Sequence, residues 1–123
     1  MLPRQLLIGS KTEANIQLCE QVASELGAVT IVKKKIADIL LSLQEDDFNV
    51  IVFDLDIKEM ETLKAIRLIR RMRPKIPLIT LAKKIDKQIG GKILSEGVFP
   101  IIIAPPNKKN LSAAICAILN RNA

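Results

Sequence analysis

Five short apolar runs alternate with five helix-like stretches along this chain of 123 residues. The runs are apolar at nearly every position, which is typical of parallel strands that are covered by helices on both faces. They span residues 5–9, 28–32, 50–53, 77–82 and 98–103. Five β-α units of this size predict a single α/β domain over residues 1–123, with a doubly wound, five-stranded parallel sheet in the order 2-1-3-4-5 and five helices. This is the flavodoxin-like arrangement.

The helix-like stretches have apolar residues at helical spacing. They span residues 15–26, 36–43, 63–72, 86–95 and 111–119. Asn110 is expected to cap the start of the last helix, because its side chain can accept a backbone N–H there. Gly90 and Gly91 each cost the fourth helix roughly 1 kcal/mol relative to alanine, so we expect that helix to be short or mobile. The first and last helices share one face of the predicted sheet, which would bring Cys19 and Cys116 near each other.

The composition excludes several classes of site. The chain has no histidine, and its two cysteines lie far apart in the sequence. A zinc site, a CxxC redox pair and a Ser-His-Asp or Cys-His hydrolase are therefore excluded. No apolar run approaches the roughly 20 residues that cross a bilayer, and the start of the chain lacks the pattern of a signal peptide. We therefore expect a cytoplasmic protein without enzyme activity.

The formal net charge of +6 raises the question of nucleic-acid binding. Only three aromatic residues are present, all of them phenylalanines in or beside apolar runs, so a platform for stacking bases is missing. The basic residues are spread over several segments, and we interpret them mainly as a solvated face. One alternative stays open for the third helix, where four arginines could form a docking surface for an acidic partner: Arg67, Arg70, Arg71 and Arg73.

The third apolar run stops on an acid, Asp54, at the carboxyl end of a central strand. In an open α/β sheet, ligands and reacting groups gather at this edge. The same edge would hold the residues that follow the neighbouring strands, namely Gly9, Ser10, Lys11, Ala82, Lys83, Ala104 and Pro105. Function therefore depends on what surrounds Asp54.

Four stretches of the sequence are typical of one known family: residues 52–56 (VFDLD), residues 76–79 (IPLI), Glu96-Gly97 before the last strand, and Pro105 after it. Together they resemble the receiver domains of response regulators in two-component signalling, and the resemblance covers essentially the whole chain. It implies that Asp54 occupies the phospho-acceptor position and that the backbone carbonyl of Asp56 is a Mg²⁺ ligand. It also implies that the peptide bond between Ala104 and Pro105 is cis.

The chain departs from the family's pattern at the positions that handle the phosphoryl group. Ser10 and Lys11 stand where the family has two adjacent acids, and Ala82 stands where it has threonine or serine. Ala104 replaces a lysine, and Ile101 replaces the aromatic residue of the switch position. Each lost electrostatic contact of this kind is worth roughly 3 kcal/mol at comparable sites, so we expect phosphotransfer to be slow or absent.

Asp54 and Asp56 by themselves offer only a weak cage for Mg²⁺, which binds through several oxygen ligands. We therefore expect no cofactor, unless the site is functional, in which case the cofactor is Mg²⁺. We predict that Lys11 or Lys83 takes the place of the metal by pairing with Asp54. The alternative is that Asp54 is satisfied by amides of the loops.

These departures predict a receiver-like signalling domain of a two-component or phosphorelay pathway that works as a phosphorylation-independent protein-interaction module, a pseudo-receiver. The expected partner is a protein, either a histidine kinase or a downstream signalling protein. No membrane contact and no direct nucleic-acid contact are expected, and the oligomeric state stays open. The alternative is a conventional receiver that accepts phosphate on Asp54, cut from a longer protein with a DNA-binding output domain.

Overall fold

The computed structural model describes residues 3–98, 100–103 and 106–121. Within them, five strands and five helices alternate along the chain. They are β1 (Gln5–Gly9), α1 (Glu13–Glu25), β2 (Val29–Lys33), α2 (Ile36–Glu45), β3 (Val50–Asp54), α3 (Thr62–Met72), β4 (Leu78–Ala82), α4 (Lys87–Ser95), β5 (Ile101–Ile103) and α5 (Lys108–Arg121). The strands pair in parallel in the order β2-β1-β3-β4-β5, so the predicted fold is confirmed.

The sheet carries apolar side chains on both faces, which explains why its strands are apolar throughout. On one face, Leu7, Ile51 and Phe53 pack with residues of α2, α3 and α4. On the other face, Leu6 and Val52 pack with residues of α1 and α5. Because β1, β3 and β4 lie inside the sheet, their apolar residues are buried, whereas the edge strand β2 is partly exposed.

The last helix begins earlier than the apolar pattern predicts. The side chain of Asn107, not that of Asn110, caps it by accepting the backbone N–H of Lys109, with 2.8 Å between Oδ1 and N. The first turn of α5 is exposed and carries no apolar residue, so the pattern becomes visible only from Leu111 onwards. The prediction of Asn110 as the cap is therefore wrong, because the stripe of buried residues starts one turn inside the helix.

The fourth helix is short, as predicted, with nine residues that include Gly90 and Gly91. Its first turn is held by Asp86, whose carboxylate accepts the backbone N–H of the third residue after it at 2.8 Å. The helices α1 and α5 pack on the same face of the sheet, where Cys19 is fully buried. Cys116 on α5 is partly buried, and both thiols are free.

Candidate functional site

Asp54 is the last residue of β3, and its side chain lies at the carboxyl edge of the sheet with only 1% of its surface exposed. The backbone N–H of the next residue, Leu55, donates to a carbonyl of β4 at 2.8 Å, so the pairing of the strands continues past Asp54. On the other side, β1 pairs Gly9 with Phe53. The residue that follows Gly9 is Ser10, which the sheet thereby brings level with Asp54.

Gly9 allows the side chain of Ile39, on α2, to approach this edge closely. A β-carbon at position 9 would lie 2.5 Å from Cδ1 of Ile39 on α2 and 3.4 Å from the ring of Phe53. Any larger residue would therefore have to displace the side chain of Ile39. Gly9 thus gives the side chain of Ile39 room to pack against the end of β1.

Three neutral donors surround the carboxylate of Asp54. Its Oδ2 accepts the hydroxyl of Ser10 at 2.8 Å and the side-chain amide of Asn15 at 3.0 Å, while its Oδ1 accepts the backbone N–H of Asp56 at 3.0 Å. The Oγ of Ser10 already accepts the backbone N–H of Thr12 at 3.1 Å, so its own proton is directed to Asp54. Hydrogen bonds from neutral groups therefore satisfy both oxygens of this buried carboxylate.

The predicted pairing of Lys11 or Lys83 with Asp54 is wrong. The ammonium of Lys11 lies 3.8 Å from Oε2 of Glu59, and half of its side chain is exposed. Lys83 is exposed, and no salt bridge of Lys83 or Asp54 occurs within the described parts of the chain. The physical reason is solvation: burying an ammonium beside Asp54 would cost free energy, and the carboxylate is already satisfied by a hydroxyl and two amides.

Glu59, in the loop after β3, organises the rim of the site, although the sequence pattern does not single it out. Its Oε1 accepts the backbone N–H of Ile36, the first residue of α2, at 2.7 Å. It thereby takes the place of a cap, because the side chain of Lys35 makes no capping hydrogen bond. Its Oε2 faces Lys11. Glu59 thus connects the loops after β1 and β3 with α2 around Asp54.

Asn15 is the second site residue that the apolar pattern conceals. It lies in the first turn of α1, is 4% exposed and donates to Asp54. Its spacing could have revealed it, because Asn15 precedes Cys19 by four positions and so falls on the inward side of α1. A polar residue on that side requires a buried partner, and the neighbouring strand end supplies the carboxylate.

Asp56 has one unpaired oxygen. Its Oδ2 is buried and has no hydrogen-bond partner among the described residues, while its backbone N–H is used on Asp54. A Mg²⁺ ion prefers six oxygen ligands in octahedral geometry, and Asp54 already accepts three hydrogen bonds. The described residues contain no group of three or more acidic, cysteine or histidine side chains that could hold a metal ion. This edge thus offers a cation the carboxylates of Asp54 and Asp56, and its occupation by Mg²⁺ stays a prediction for the case of a functional site.

The other predicted positions, where described, carry no side chain that could bind a phosphoryl oxygen. Ala82 ends β4, is 2% exposed and carries only a methyl group. Ile101 begins β5 and packs, partly buried, against the cluster of α2, α3 and α4. Ala104 and Pro105, with the peptide bond predicted to be cis, lie outside the described residues. Thr80 has a hydroxyl two residues before Ala82, but it is fully buried within the sheet.

The charge of Asp54 affects Cys19, which lies one turn along α1 from Asn15. Burial, and then the negative charges of Asp54 and Glu20, raise the pKa of the Cys19 thiol from 9.0 to about 12. A thiol that stays protonated in this way behaves as a small apolar side chain and is a poor nucleophile. Cys19 is therefore a core residue and not a reactive group.

The raised pKa of Cys19 predicts a loss of stability in alkali. Below about pH 9 the thiol is protonated in the folded and the unfolded chain, whereas above it only the unfolded chain releases the proton. The free energy of unfolding should thus fall by about 1 kcal/mol between pH 8 and pH 10 through this group. Urea unfolding of the wild type and of Cys19→Ala at both pH values measures this contribution of Cys19. The lysines titrate in both proteins, so their effect cancels in the comparison. Equal losses in the two proteins would contradict the raised pKa.

The family profile of the response regulator receiver domain matches residues 7–116 of this chain. The chain belongs to this family. Receiver domains interact with protein partners such as kinases and output domains. In the described part of this receiver domain, no helix combines the length and the apolar character that crossing a membrane requires.

Solved structures share the fold of this receiver domain. A CheY-like receiver domain from Methanospirillum hungatei JF-1 is 20% identical to this chain, with a TM-score of 0.85. The match covers 98% of this chain and 96% of the other. A two-component response regulator from Clostridium difficile is 19% identical over 96% of this chain and 97% of its own, with a TM-score of 0.87. The regulator DrrB of Thermotoga maritima is 21% identical to this chain, with a TM-score of 0.84. The match covers 98% of this chain but only 54% of the DrrB chain. No curated protein matches the chain significantly.

Proposed function

We propose that this receiver domain works as a phosphorylation-independent protein-interaction module in a two-component or phosphorelay pathway, without enzyme activity and without a cofactor. The observation that supports this proposal is the state of Asp54, which is buried and accepts hydrogen bonds from Ser10, Asn15 and Asp56. A carboxylate bound in this way contributes to the structure of the domain. These three hydrogen bonds occupy most of the acceptor sites of the carboxylate and leave one on Oδ1.

Phosphotransfer to a carboxylate also needs positive charge at the site. The transferred group carries negative charge on its equatorial oxygens, which Mg²⁺ and a cationic side chain neutralise in such reactions. Here Ser10 and Asn15 occupy the space beside Asp54, and Lys11 pairs with Glu59 at the surface. Each missing contact is worth roughly 3 kcal/mol, so we expect Asp54 to be a poor phospho-acceptor.

The elements α4 and β5 offer a surface for the protein partner, which we expect to be a histidine kinase or a downstream signalling protein. Ile89 and Leu94 on α4 and Ile103 in β5 are large apolar side chains with 38%, 49% and 51% of their surface exposed. Exposed apolar side chains gain free energy when a partner covers them. Ile101, an aliphatic residue at the switch position, is already partly buried. We infer that this surface keeps one state whatever happens at Asp54.

A second candidate function is that of a conventional receiver that accepts phosphate on Asp54. It is favoured by the buried Oδ2 of Asp56, which has no partner in the described structure and which a bound cation would satisfy. Such a receiver could be part of a longer protein with a DNA-binding output domain. The DrrB chain of Thermotoga maritima, of which the match covers 54%, is longer than the segment that resembles this domain.

An amide NMR titration with Mg²⁺ and beryllofluoride, a mimic of the phosphoryl group, separates the two candidates. We expect the wild-type spectrum to stay unchanged, because Asp54 is already hydrogen-bonded and lacks a cage of carboxylates. Asp54→Asn is the matched control, since it removes the acceptor and keeps the size of the side chain. Shifts that spread from Asp54 and disappear in Asp54→Asn would overturn the proposed function and support the conventional one.

A further inference from the structure

Three arginines of α3 line one open groove near the end of that helix, at the opposite edge of the sheet from Asp54. The groove has a volume of about 430 Å³, and we call it the arginine groove; it is formed by Arg67, Arg70, Arg71, Pro74 and Glu96. A second groove of about 250 Å³ shares Arg67 and Arg71 and adds Glu61, Lys64 and Leu68. A mainly basic surface therefore runs along the outer side of α3.

The fourth arginine of this region has a different role. Arg73 donates to the carbonyl of Leu43 at 2.9 Å and to that of Asp46 at 3.0 Å, and its guanidinium pairs with Asp47. These contacts hold the end of α2 and the loop after it against the end of α3. Arg73 thus stabilises the packing of α2 against α3. The predicted docking surface of four arginines is therefore limited to the three that line the arginine groove.

Two guanidinium groups of the arginine groove are held in place. Nε of Arg67 donates to Oε1 of Glu96 at 2.7 Å, and Nη1 of Arg70 donates to the carbonyl of Ile76 at 3.2 Å. Nη2 of Arg70 also lies against Gly97, 3.5 Å from the place that a β-carbon would take. In the described structure each of these arginines uses one of its five N–H groups on the protein. The remaining donors are oriented in advance, which lowers the entropy cost of binding an anion.

Like charges follow each other along the outer side of α3. Lys64, Arg67 and Arg71 are spaced by three and four residues, so they are neighbours on the helix surface and repel each other. Among the described residues, Glu96 is the one acid within ion-pair distance of these three cations. The helix dipole favours cations in the last turn, which accounts for Arg70 and Arg71 but not for Lys64 and Arg67. An anion bound here would relieve the repulsion.

We propose that the arginine groove binds an acidic segment of a partner protein, whose carboxylates pair with Arg67, Arg70 and Arg71. The planar guanidinium group suits this role, because it can bind a carboxylate through two parallel hydrogen bonds. Leu68 and Pro74 add apolar area beside the charges, which a peptide can cover and a lone phosphate cannot. Nucleic acid fits less well, since the chain has no tryptophan or tyrosine on which bases could stack. This inference goes beyond the proposed function and does not depend on the phospho-acceptor position.

Fluorescence anisotropy with an acidic peptide tests this inference. The probe is a fluorescein-labelled peptide of about twelve residues, with glutamate at every third or fourth position between leucine and alanine. The control peptide has glutamine in place of each glutamate. We expect only the glutamate peptide to bind, and we expect Arg71→Glu to weaken its binding roughly tenfold or more.

Two further variants make the test specific. Lys34→Glu makes the same change of charge at an exposed lysine before α2, and it should alter the affinity by less than about twofold. Arg71→Gln removes the positive charge without introducing a negative one. It therefore shows whether binding is lost through the missing charge or because a glutamate disturbs the end of α3. We expect Arg71→Gln to weaken binding as well, by a smaller factor than Arg71→Glu. Equal weakening by Arg71→Glu and Lys34→Glu would reveal a response to net charge alone and would overturn the inference.

Amide NMR with the same glutamate peptide locates the contact. Shifts that cluster at residues 64–75 and 96–97 support the inference, whereas shifts elsewhere or no binding at all overturn it. Inorganic phosphate and a single-stranded DNA oligonucleotide are the competing probes. If either shifts these amides at concentrations where the glutamate peptide does not, the groove is a site for small anions or nucleic acid and the inference is wrong. None of these results depends on beryllofluoride, so failure here is distinguishable from failure of the proposed function.

Discussion

Replacing Ser10 with aspartate is expected to lower the free energy of unfolding by about 3 kcal/mol in EDTA, and Mg²⁺ is expected to restore much of that loss. Ser10 is 1% exposed, and its Oγ lies 2.8 Å from Oδ2 of Asp54. The substitution therefore places a second carboxylate against the first in a buried space. It also removes the hydroxyl that donates to Asp54, so an attraction is exchanged for a repulsion.

The rescue by Mg²⁺ follows because the same substitution supplies the ligand that the native site lacks. Carboxylates at positions 10 and 54, together with the unpaired Oδ2 of Asp56, would offer oxygen ligands from three side chains. A cation that binds only the folded protein stabilises it by about 3 kcal/mol at a hundred times its Kd. The expected recovery is thus similar in size to the expected loss.

Thermal and urea unfolding in EDTA and in Mg²⁺ measure this effect for the wild type, Ser10→Asp and Ser10→Asn. Ser10→Asn is the matched control, because asparagine has nearly the size of aspartate and no charge. We expect Mg²⁺ to leave the stability of the wild type unchanged relative to EDTA, and likewise that of Ser10→Asn. If the wild type gained as much from Mg²⁺ as Ser10→Asp, the native residues would already bind the cation, and our account of the site would be wrong.

The fold could be predicted from the sequence because its signal is spread over many residues. Five unbroken apolar runs between helical patterns are compatible with few arrangements other than a parallel sheet covered on both faces. The start of α5 could not be placed in the same way. Asn107 and Asn110 are equally good caps by residue type, and the exposed first turn of the helix gives no apolar signal that would separate them.

The site could be predicted only as far as the edge of the sheet. Strand order brings Ser10, Lys11 and Asp54 to that edge, but it does not determine in which direction a long side chain leaves it. Lys11 extends towards Glu59 and solvent, where its ammonium stays hydrated, while the short side chain of Ser10 reaches the carboxylate. Asn15 lies in a helix that is recognised by its apolar residues, so a single polar residue on the inward side is easily missed.

Asp54→Ala is expected to destabilise the domain by about 3 kcal/mol, whereas Asp54→Asn is expected to change its stability by less than about 1 kcal/mol. Alanine leaves the hydroxyl of Ser10, the amide of Asn15 and the N–H of Asp56 buried without an acceptor. Asparagine can keep all three contacts. Its carbonyl can accept the N–H of Asp56, and its amide can donate to Ser10 and to a reoriented Asn15 side chain.

The sign of the Asp54→Ala effect distinguishes this site from one that is built to hold a metal ion. Where several carboxylates repel each other in the absence of metal, removing one of them relieves strain and raises stability. Asp54 instead lies among neutral donors, so its removal should lower stability in EDTA, as urea unfolding can measure. The double variant Ser10→Ala, Asp54→Ala removes a donor together with its acceptor, so it should lose less than the sum of the two single losses. A more stable Asp54→Ala protein would mean that Asp54 is strained by repulsion, as expected of a working phospho-acceptor.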